Sequence, residues 1–424
     1  MRVLLISANT EQINILPMPL GLNCVAVSTR NAGHDVRVLD LMTQKDNRLS
    51  IREAIENFQP EVIGISVRNI DDQNMEHPRF LLGQVKDVVI DCRSLSGAPI
   101  VLGGAGYSIF PESALKYLDA DMGIQGEGEM VFPVLLDHIR RGTGFSGIPG
   151  LYLRGHGLQG KRDFVENLDA SPLPDAHISS LSALNDQEIW MPVQTRRGCP
   201  MNCSYCSTAT IEGRALRKRS PQYVIEEIAL HVEAGYERFY FVDNTFNIPL
   251  PYAKEICRSL IESGLKISFR CIIYPGKFDE EFIDLLARSG CREVSLGFES
   301  GCERILSTMN KKYTLNAILQ TSEILKNFGI RRMGFLLLGG PGESRESVEE
   351  SLVFADSLHL EALKITIGIR IYPDTGLAET ALEEGSISPE DNLLFPTFYI
   401  VRGLEDWLYK TVRVWTADRP HWLA

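Results

Sequence analysis

Three cysteines stand at C-x3-C-x2-C spacing in Arg196-Arg197-Gly198-Cys199-Pro200-Met201-Asn202-Cys203-Ser204-Tyr205-Cys206, directly after an apolar run that reads as a strand. Three thiolates on one short loop can hold three corners of a cubane iron–sulfur cluster and leave the fourth iron without a protein ligand. An open coordination position on a metal marks chemistry, because a closed site only holds structure or passes electrons. Gly198 and Pro200 suit a loop that folds back around a bulky inorganic core. The competing reading is a zinc loop or an ordinary cysteine cluster. A zinc knuckle needs a fourth Cys or His close by, and none follows before His231.

The remaining chain restricts the class. A length of 424 residues calls for two or three domains. A net charge of −12 argues against a nucleic-acid surface as the main partner. No apolar run reaches the roughly 18 residues of a membrane span. The first residues, Met1-Arg2-Val3-Leu4-Leu5-Ile6-Ser7, read as a buried strand and not as a signal peptide. Nine cysteines, scattered apart from the central trio, suit a reducing cytoplasmic setting and not a disulfide framework. Cys257, Cys271, Cys291 and Cys302 read as core thiols on separate elements, and His34 and His77 as surface residues.

The cysteine spacing resembles the signature of the radical S-adenosylmethionine (SAM) enzymes. The resemblance implies a [4Fe–4S] cluster on Cys199, Cys203 and Cys206, with Tyr205 as the aromatic that the family places before the third cysteine. It also implies SAM chelated to the open iron and split to a 5′-deoxyadenosyl radical. A small-molecule substrate and a flavodoxin- or ferredoxin-type electron donor follow from the same likeness.

The elements that must position this loop are α/β in both halves. Residues 1–141 alternate strands (2–7, 36–39, 62–67, 100–102, 122–124) with helices, the last opening at Glu127, which predicts a doubly wound parallel sheet. Ligands bind such sheets at the carboxyl ends of the strands. Two glycine-rich turns lie there, Gly103-Gly104-Ala105-Gly106 and Gly126-Glu127-Gly128-Glu129. With Pro19-Leu20-Gly21-Leu22, Gly33-His34-Asp35-Val36, Ile63-Gly64-Ile65-Ser66 and Pro111-Glu112, they resemble the N-terminal cobalamin-binding domain of class B radical SAM enzymes. That implies cobalamin near Gly103, Gly104 and Gly126. Two departures stand out. The loop Asn9-Thr10-Glu11-Gln12-Ile13-Asn14 has no histidine to ligate cobalt, and the third strand ends in Arg68-Asn69-Ile70-Asp71-Asp72 in place of small residues. Those side chains crowd the cobalamin tail, bind something else, or cap the strand.

Residues 142–189 read as a linker with a hairpin near Gly155-His156-Gly157. From 190 to 376 six βα units, with strands at 191–195, 238–242, 267–270, 294–298, 334–338 and 364–371, predict a partial (β/α)6 barrel, whose chemistry gathers at the carboxyl ends of its strands. Asp243, in the polar cluster that follows the second of these strands, is an expected cofactor-binding residue. Gly297-Phe298-Glu299-Ser300-Gly301 resembles the family's ribose-contacting motif, which makes Glu299 the expected partner of the SAM sugar or amine. Leu338-Gly339-Gly340-Pro341-Gly342-Glu343 resembles its adenine-side turn, at Gly340. Lys311 and Lys312 read as an exposed charge pair, and Arg214, Arg217, Lys218 and Arg219 as a solvated basic run. The aromatic tail, 377–424, is expected over the barrel mouth. The chemistry implied is hydrogen abstraction from an unactivated carbon, followed by cobalamin-dependent methylation. With a vestigial first domain the alternative is radical dehydration, rearrangement or reduction, as of an amino sugar. A cobalamin carrier or sensor with an electron-transfer cluster is the rival from another class, opposed by the missing fourth thiolate.

Overall fold

A computed structural model of the chain describes residues 1–11, 18–177 and 189–424. Gln12, Ile13 and Asn14 of the loop after the first strand, and 178–188 of the expected linker, lie outside the described residues. The chain divides into two compact units. The first comprises Met1–Asp72, Phe80–Trp190 and Thr208–Arg219; the second comprises Gln73–Arg79, Met191–Ser207 and Ser220–Ala424.

The first unit is built on strands β1 (Arg2–Ser7), β2 (Asp35–Asp40), β3 (Val62–Ser66), β4 (Ile100–Gly103), β5 (Met122–Ile124), β6 (Leu151–Leu153) and β7 (Gly157–Leu158), in the order β2-β1-β3-β4-β5-β6-β7. The first five are parallel. Their side chains are uninterrupted apolar runs because helices cover both faces: Val3, Leu5, Val62 and Val101 pack with Phe132, Leu135 and Leu136 of the helix Gly128–Arg141. The hairpin β6–β7 joins the sheet antiparallel, so part of the expected linker is sheet. Helices Ala105–Ile109 and Pro111–Leu118 follow β4 and were not legible as separate elements, since the first is only five residues long. The order around β1 places a topological switch point between β1 and β3.

The second unit carries β8 (Met191–Val193), β9 (Arg238–Phe241), β10 (Ser268–Ile273), β11 (Cys291–Glu299), β12 (Arg331–Leu338), β13 (Ala362–Ile367) and β14 (Trp422–Leu423), in the order β14-β13-β12-β11-β10-β9-β8 and all parallel. Helices between them cover one face. Strands β11 and β12 begin three residues earlier than the apolar pattern suggests. These first residues include charged ones with partners outside their own strand: Glu293, on the inside of the curve, meets Arg270 and Arg331, and Arg332, buried on the other face, pairs with Glu361.

The aromatic tail does not lie over the mouth as one piece. Trp422 pairs with Leu363 as the edge strand, and Trp407, Trp415 and Trp422 join the core between sheet and helices. Phe398–Tyr399 returns to the carboxyl end of the sheet, antiparallel to Ile369–Arg370, and Val401 N–H donates to the Gly339 carbonyl there. The basic run is also not solvated throughout. Arg217 pairs with Glu127 at 2.6 Å, each side chain 8% exposed, and Arg219 donates to the carbonyls of Leu168 and Ser171. His34 is buried, not on the surface.

Gly104 has φ +102°, and a Cβ there would stand 2.5 Å from the Val67 carbonyl oxygen. Gly104→Ala therefore lowers the stability of the first unit by about 2–4 kcal/mol, read as a fall in urea midpoint.

Candidate active site

The cysteine loop leaves the sheet at Thr195 and Arg196, and a buried carboxylate holds that exit. Asp243 is 1% exposed. The backbone N–H groups of Thr195 and Arg196 donate to its Oδ1 at 2.9 and 3.0 Å, and the Thr195 hydroxyl donates to Oδ2 at 2.8 Å. Burial pushes the carboxyl up to about 6, against the pull of the Arg196 guanidinium and these hydrogen bonds. Arg196, also buried, donates to the Gly198 carbonyl at 3.2 Å and to Thr245 Oγ1 at 2.6 Å. Asp243 was expected to meet a cofactor. The structure spends both its oxygens on the root of the loop, so it is a positioning residue.

Three more hydrogen bonds pin the loop itself. Ser204 N–H donates to the Met309 carbonyl at 3.1 Å, Leu377 N–H donates to the Ser204 carbonyl at 2.7 Å, and Asn310 Nδ2 donates to the Asn202 carbonyl at 2.6 Å. Cys199 is buried, Cys203 half-buried and Cys206 exposed. Burial raises the Cys203 thiol, with Lys311 pulling the other way. No group of three Cys, His, Asp or Glu side chains stands at single-ion spacing among the described residues. Three thiols on one loop are the donor number that a cubane cluster with one open iron needs.

Beside the loop, Glu299 ends β11 in a way that sequence periodicity does not display. Pairing with β12 shifts register between Gly297 and Glu299, and Glu299 has φ +62°. This bulge and left-handed backbone turn its carboxylate back over Gly297, where a Cβ would lie 2.9 Å from Glu299 Oε1. Tyr205 Oη donates to that oxygen at 2.9 Å and Lys311 Nζ at 3.2 Å. Lys311 also stands 5.2 Å from the centre of the Tyr205 ring. Its side chain is 7% exposed, so it is not the solvated charge expected. Burial pulls its ammonium down, but Glu299 and Tyr205 outweigh burial and hold it well above the usual lysine range. Burial and the Glu299 charge together push Tyr205 well up. Tyr274, accepting from Lys312 N–H at 2.8 Å, and Tyr313, donating to the Gly297 carbonyl at 2.7 Å, fix the Lys311 backbone. No local pattern marks Lys311, because its partner is brought by a different element.

The glycines behave differently from one another. A Cβ on Gly340 would meet Ile369 Cδ1 at 3.0 Å, so the protein already fills that space. Gly340 N–H donates to Glu343 Oε2 at 3.2 Å, and Gly339 N–H shares that oxygen. Glu343 is buried with Oε1 unpartnered, and burial pushes its carboxyl up to about 7 against those two N–H groups. In the two glycine-rich turns of the first unit, Gly104 and Gly106 press on the backbone of Val67 and Arg68, Gly126 lies under the Arg162 side chain, Gly128 meets Val25, and Gly103 has open space. A small, partly open pocket lies at the carboxyl ends of β1 and β3, lined by Ala8, Asn9, Ser66, Arg68, Asn69 and Gln84. It is the switch-point position where such sheets bind ligands.

Two family models match the chain. One, described as the B12 binding domain, covers residues 8–136, and the other, the Radical SAM superfamily, covers residues 193–355. The chain is a radical SAM enzyme with a B12-binding domain. The radical SAM domain thus spans the cysteine loop, Asp243, Glu299, Lys311 and Glu343, and the B12-binding domain spans the β1/β3 pocket. An uncharacterized methyltransferase of Pyrococcus horikoshii is 28% identical over 90% of this chain and 83% of its own length. Cytidylyl-2-hydroxyethylphosphonate methyltransferase of Streptomyces wedmorensis is 26% identical over 90% and 80%. Among solved structures, the radical SAM methyltransferase TsrM from Kitasatospora setae, with cobalamin and a [4Fe–4S] cluster bound, matches with a TM-score of 0.89. It is 22% identical and covers 100% of this chain and 92% of its own. The likeness in fold therefore extends over both domains.

Two measurements check the radical SAM site's electrostatics. Glu299→Gln strands the buried Lys311 ammonium and costs about 2–4 kcal/mol in urea unfolding, whereas adding Lys311→Met to it recovers part of that loss. Glu343 has its pKa raised from 4.5 to about 7, so the native state holds a proton that the unfolded state has released across that window. Stability therefore falls as pH rises. Relative to Glu343→Gln, the wild type loses roughly 2–3 kcal/mol between pH 5 and pH 8, read from urea midpoints at each pH.

Proposed function

We propose that this enzyme methylates an unactivated carbon of a small molecule in a cobalamin-dependent radical reaction. The observation that carries the proposal is the juxtaposition of a three-thiol loop with the buried Tyr205–Glu299–Lys311 group in one domain, in a chain that also holds a B12-binding domain. The cluster would supply the electron that splits SAM into methionine and a 5′-deoxyadenosyl radical, and cobalamin would supply the methyl group.

Cys199, Cys203 and Cys206 would hold three irons. Asp243 and Arg196 fix the direction in which that loop leaves the sheet. The remaining acceptor capacity of Glu299 suits the sugar hydroxyls or ammonium of SAM. Lys311 and Tyr205 hold the Glu299 carboxylate in place. In the first domain, Gly103 and the polar pocket of Asn9, Arg68 and Gln84 are where cobalamin would lie. The names of relatives support methyl transfer: besides the phosphonate enzyme, a tryptophan 2-C-methyltransferase of Streptomyces laurentii is 24% identical over 89% of this chain. Their substrates differ so widely that none transfers by name. The electron donor would be a small flavodoxin- or ferredoxin-type protein.

The test is anaerobic incubation of the reconstituted enzyme with dithionite, SAM and cobalamin. The wild type should form 5′-deoxyadenosine and carry a cobalamin spectrum through gel filtration. The triple variant Cys199→Ala, Cys203→Ala, Cys206→Ala should lose the visible cluster absorption and all 5′-deoxyadenosine while still carrying cobalamin. A wild type that elutes without cobalamin would overturn methylation.

A further inference from the structure

The inner face of the second unit's sheet can be read row by row from its register. Side chains alternate along each strand between the helix side and the inside of the curve. Phe298, Leu336, Leu338, Leu363 and Ile365 are buried on the helix side, so Ser295, Gly297, Met333, Phe335, Lys364 and Thr366 face inward. The lowest row is ionic. Arg270 lies opposite Glu293 and Glu293 opposite Arg331, with N···O distances of 3.5 and 3.7 Å. Above it come Ile272, Ser295, Met333 and Ala362, and above those Gly297, Phe335 and Lys364.

A closed (β/α)8 barrel fills such rows with bulky branched side chains. Here Ser295, Gly297 and Ala362 are small, and Met333 and Phe335 stay only half-buried in the middle of the sheet. Among the described residues the inside of the curve is therefore a partly apolar hollow lined by small or half-buried side chains.

Lys364 stands in the wall of that hollow, half-buried between the buried Leu363 and Ile365. Among the described residues its ammonium has no hydrogen-bond or ion-pair partner. The inward carboxylates are already engaged: Glu293 by two arginines, and Glu299 by Lys311 and Tyr205. A partly desolvated ammonium without a counter-charge is costly, and it is the more notable in a chain of net charge −12. An anion arriving from outside would supply the missing partner.

We infer that the hollow takes a substrate with an apolar body and an anionic group, a carboxylate or a phosphoryl, and that Lys364 holds the anion. Lys364 is two strands from Gly297, over which the Glu299 carboxylate folds. At about 4.8 Å per strand, the anion would be anchored roughly 10 Å from the SAM-side carboxylate. Met333 and Phe335 would line the path between, so the carbon that reacts lies toward the uncharged end. This inference rests on the reading of the site as a radical SAM methylation centre and adds the class of its substrate.

The test uses two dyes of similar shape on the reconstituted full-length enzyme, anionic 8-anilinonaphthalene-1-sulfonate and uncharged N-phenyl-1-naphthylamine. Lys364→Met should weaken the anionic dye about tenfold and leave the neutral dye unchanged, while Lys364→Arg should restore the anionic dye. Benzoate or phenylphosphonate should displace the bound anionic dye from the wild type, and the stronger competitor distinguishes carboxylate from phosphoryl. An unchanged anionic dye in Lys364→Met, an equal loss of both dyes, or displacement by neither competitor overturns the assignment. The change in the reduced cluster's electron paramagnetic resonance signal on adding SAM, read on the wild type, reports the radical SAM reading separately. Its absence beside the expected dye pattern would overturn that reading and leave an anion pocket.

Discussion

One buried carboxylate at the root of the cysteine loop governs the rest of the site. Asp243 satisfies two backbone N–H groups and a hydroxyl where the chain turns out of β8, and Arg196 balances its charge while reaching forward to Gly198. In low dielectric these bonds are strong because no water competes for them. The same burial makes a missing partner expensive, so the arrangement holds as a whole or fails as a whole. From that fixed root the loop meets three further anchors at Met309, Asn310 and Leu377. A cluster bound there would be held by a frame that already has one geometry.

Strain is placed next to that frame. The bulge before Glu299 and its left-handed backbone cost free energy that an ordinary strand end would not. What they achieve is direction: the carboxylate points back inside the curve, within reach of Tyr205 from the cysteine loop and of Lys311 from a separate turn. Tyr205 thereby ties the loop to the far strand. The same three side chains position one another and leave acceptor capacity facing the interior.

The glycine-rich turns carry a different lesson. Several glycines at strand ends serve the protein's own close approaches and not a ligand's. Gly104 and Gly106 sit on the β3 backbone, and Gly340 sits under Ile369. A glycine at a strand end marks crowding, and only the fold says what does the crowding. In the first unit the open ground is shifted toward Gly103 and the ends of β1 and β3, where the order of strands reverses.

Much was legible from residues alone. Cysteine spacing depends only on neighbours in the chain, so the cluster-binding class could be read directly. Repeated βα periods are local too, and they carried both halves of the fold. Other features were decided only by tertiary structure. Lys311 looks like half of a solvated pair until folding brings Glu299 to it, and Asp243 looks like a ligand until Thr195 and Arg196 claim it. Arg217 looks exposed until Glu127 covers it. In each case the partner is distant in sequence, and no periodicity encodes a partner. The charged starts of β11 and β12 misled for a related reason: Glu293 and Arg332 are paired there by residues of other elements, where an apolar pattern is no guide. Spacing determined which chemistry this chain can perform, and long-range packing determined which side chains are free to take part.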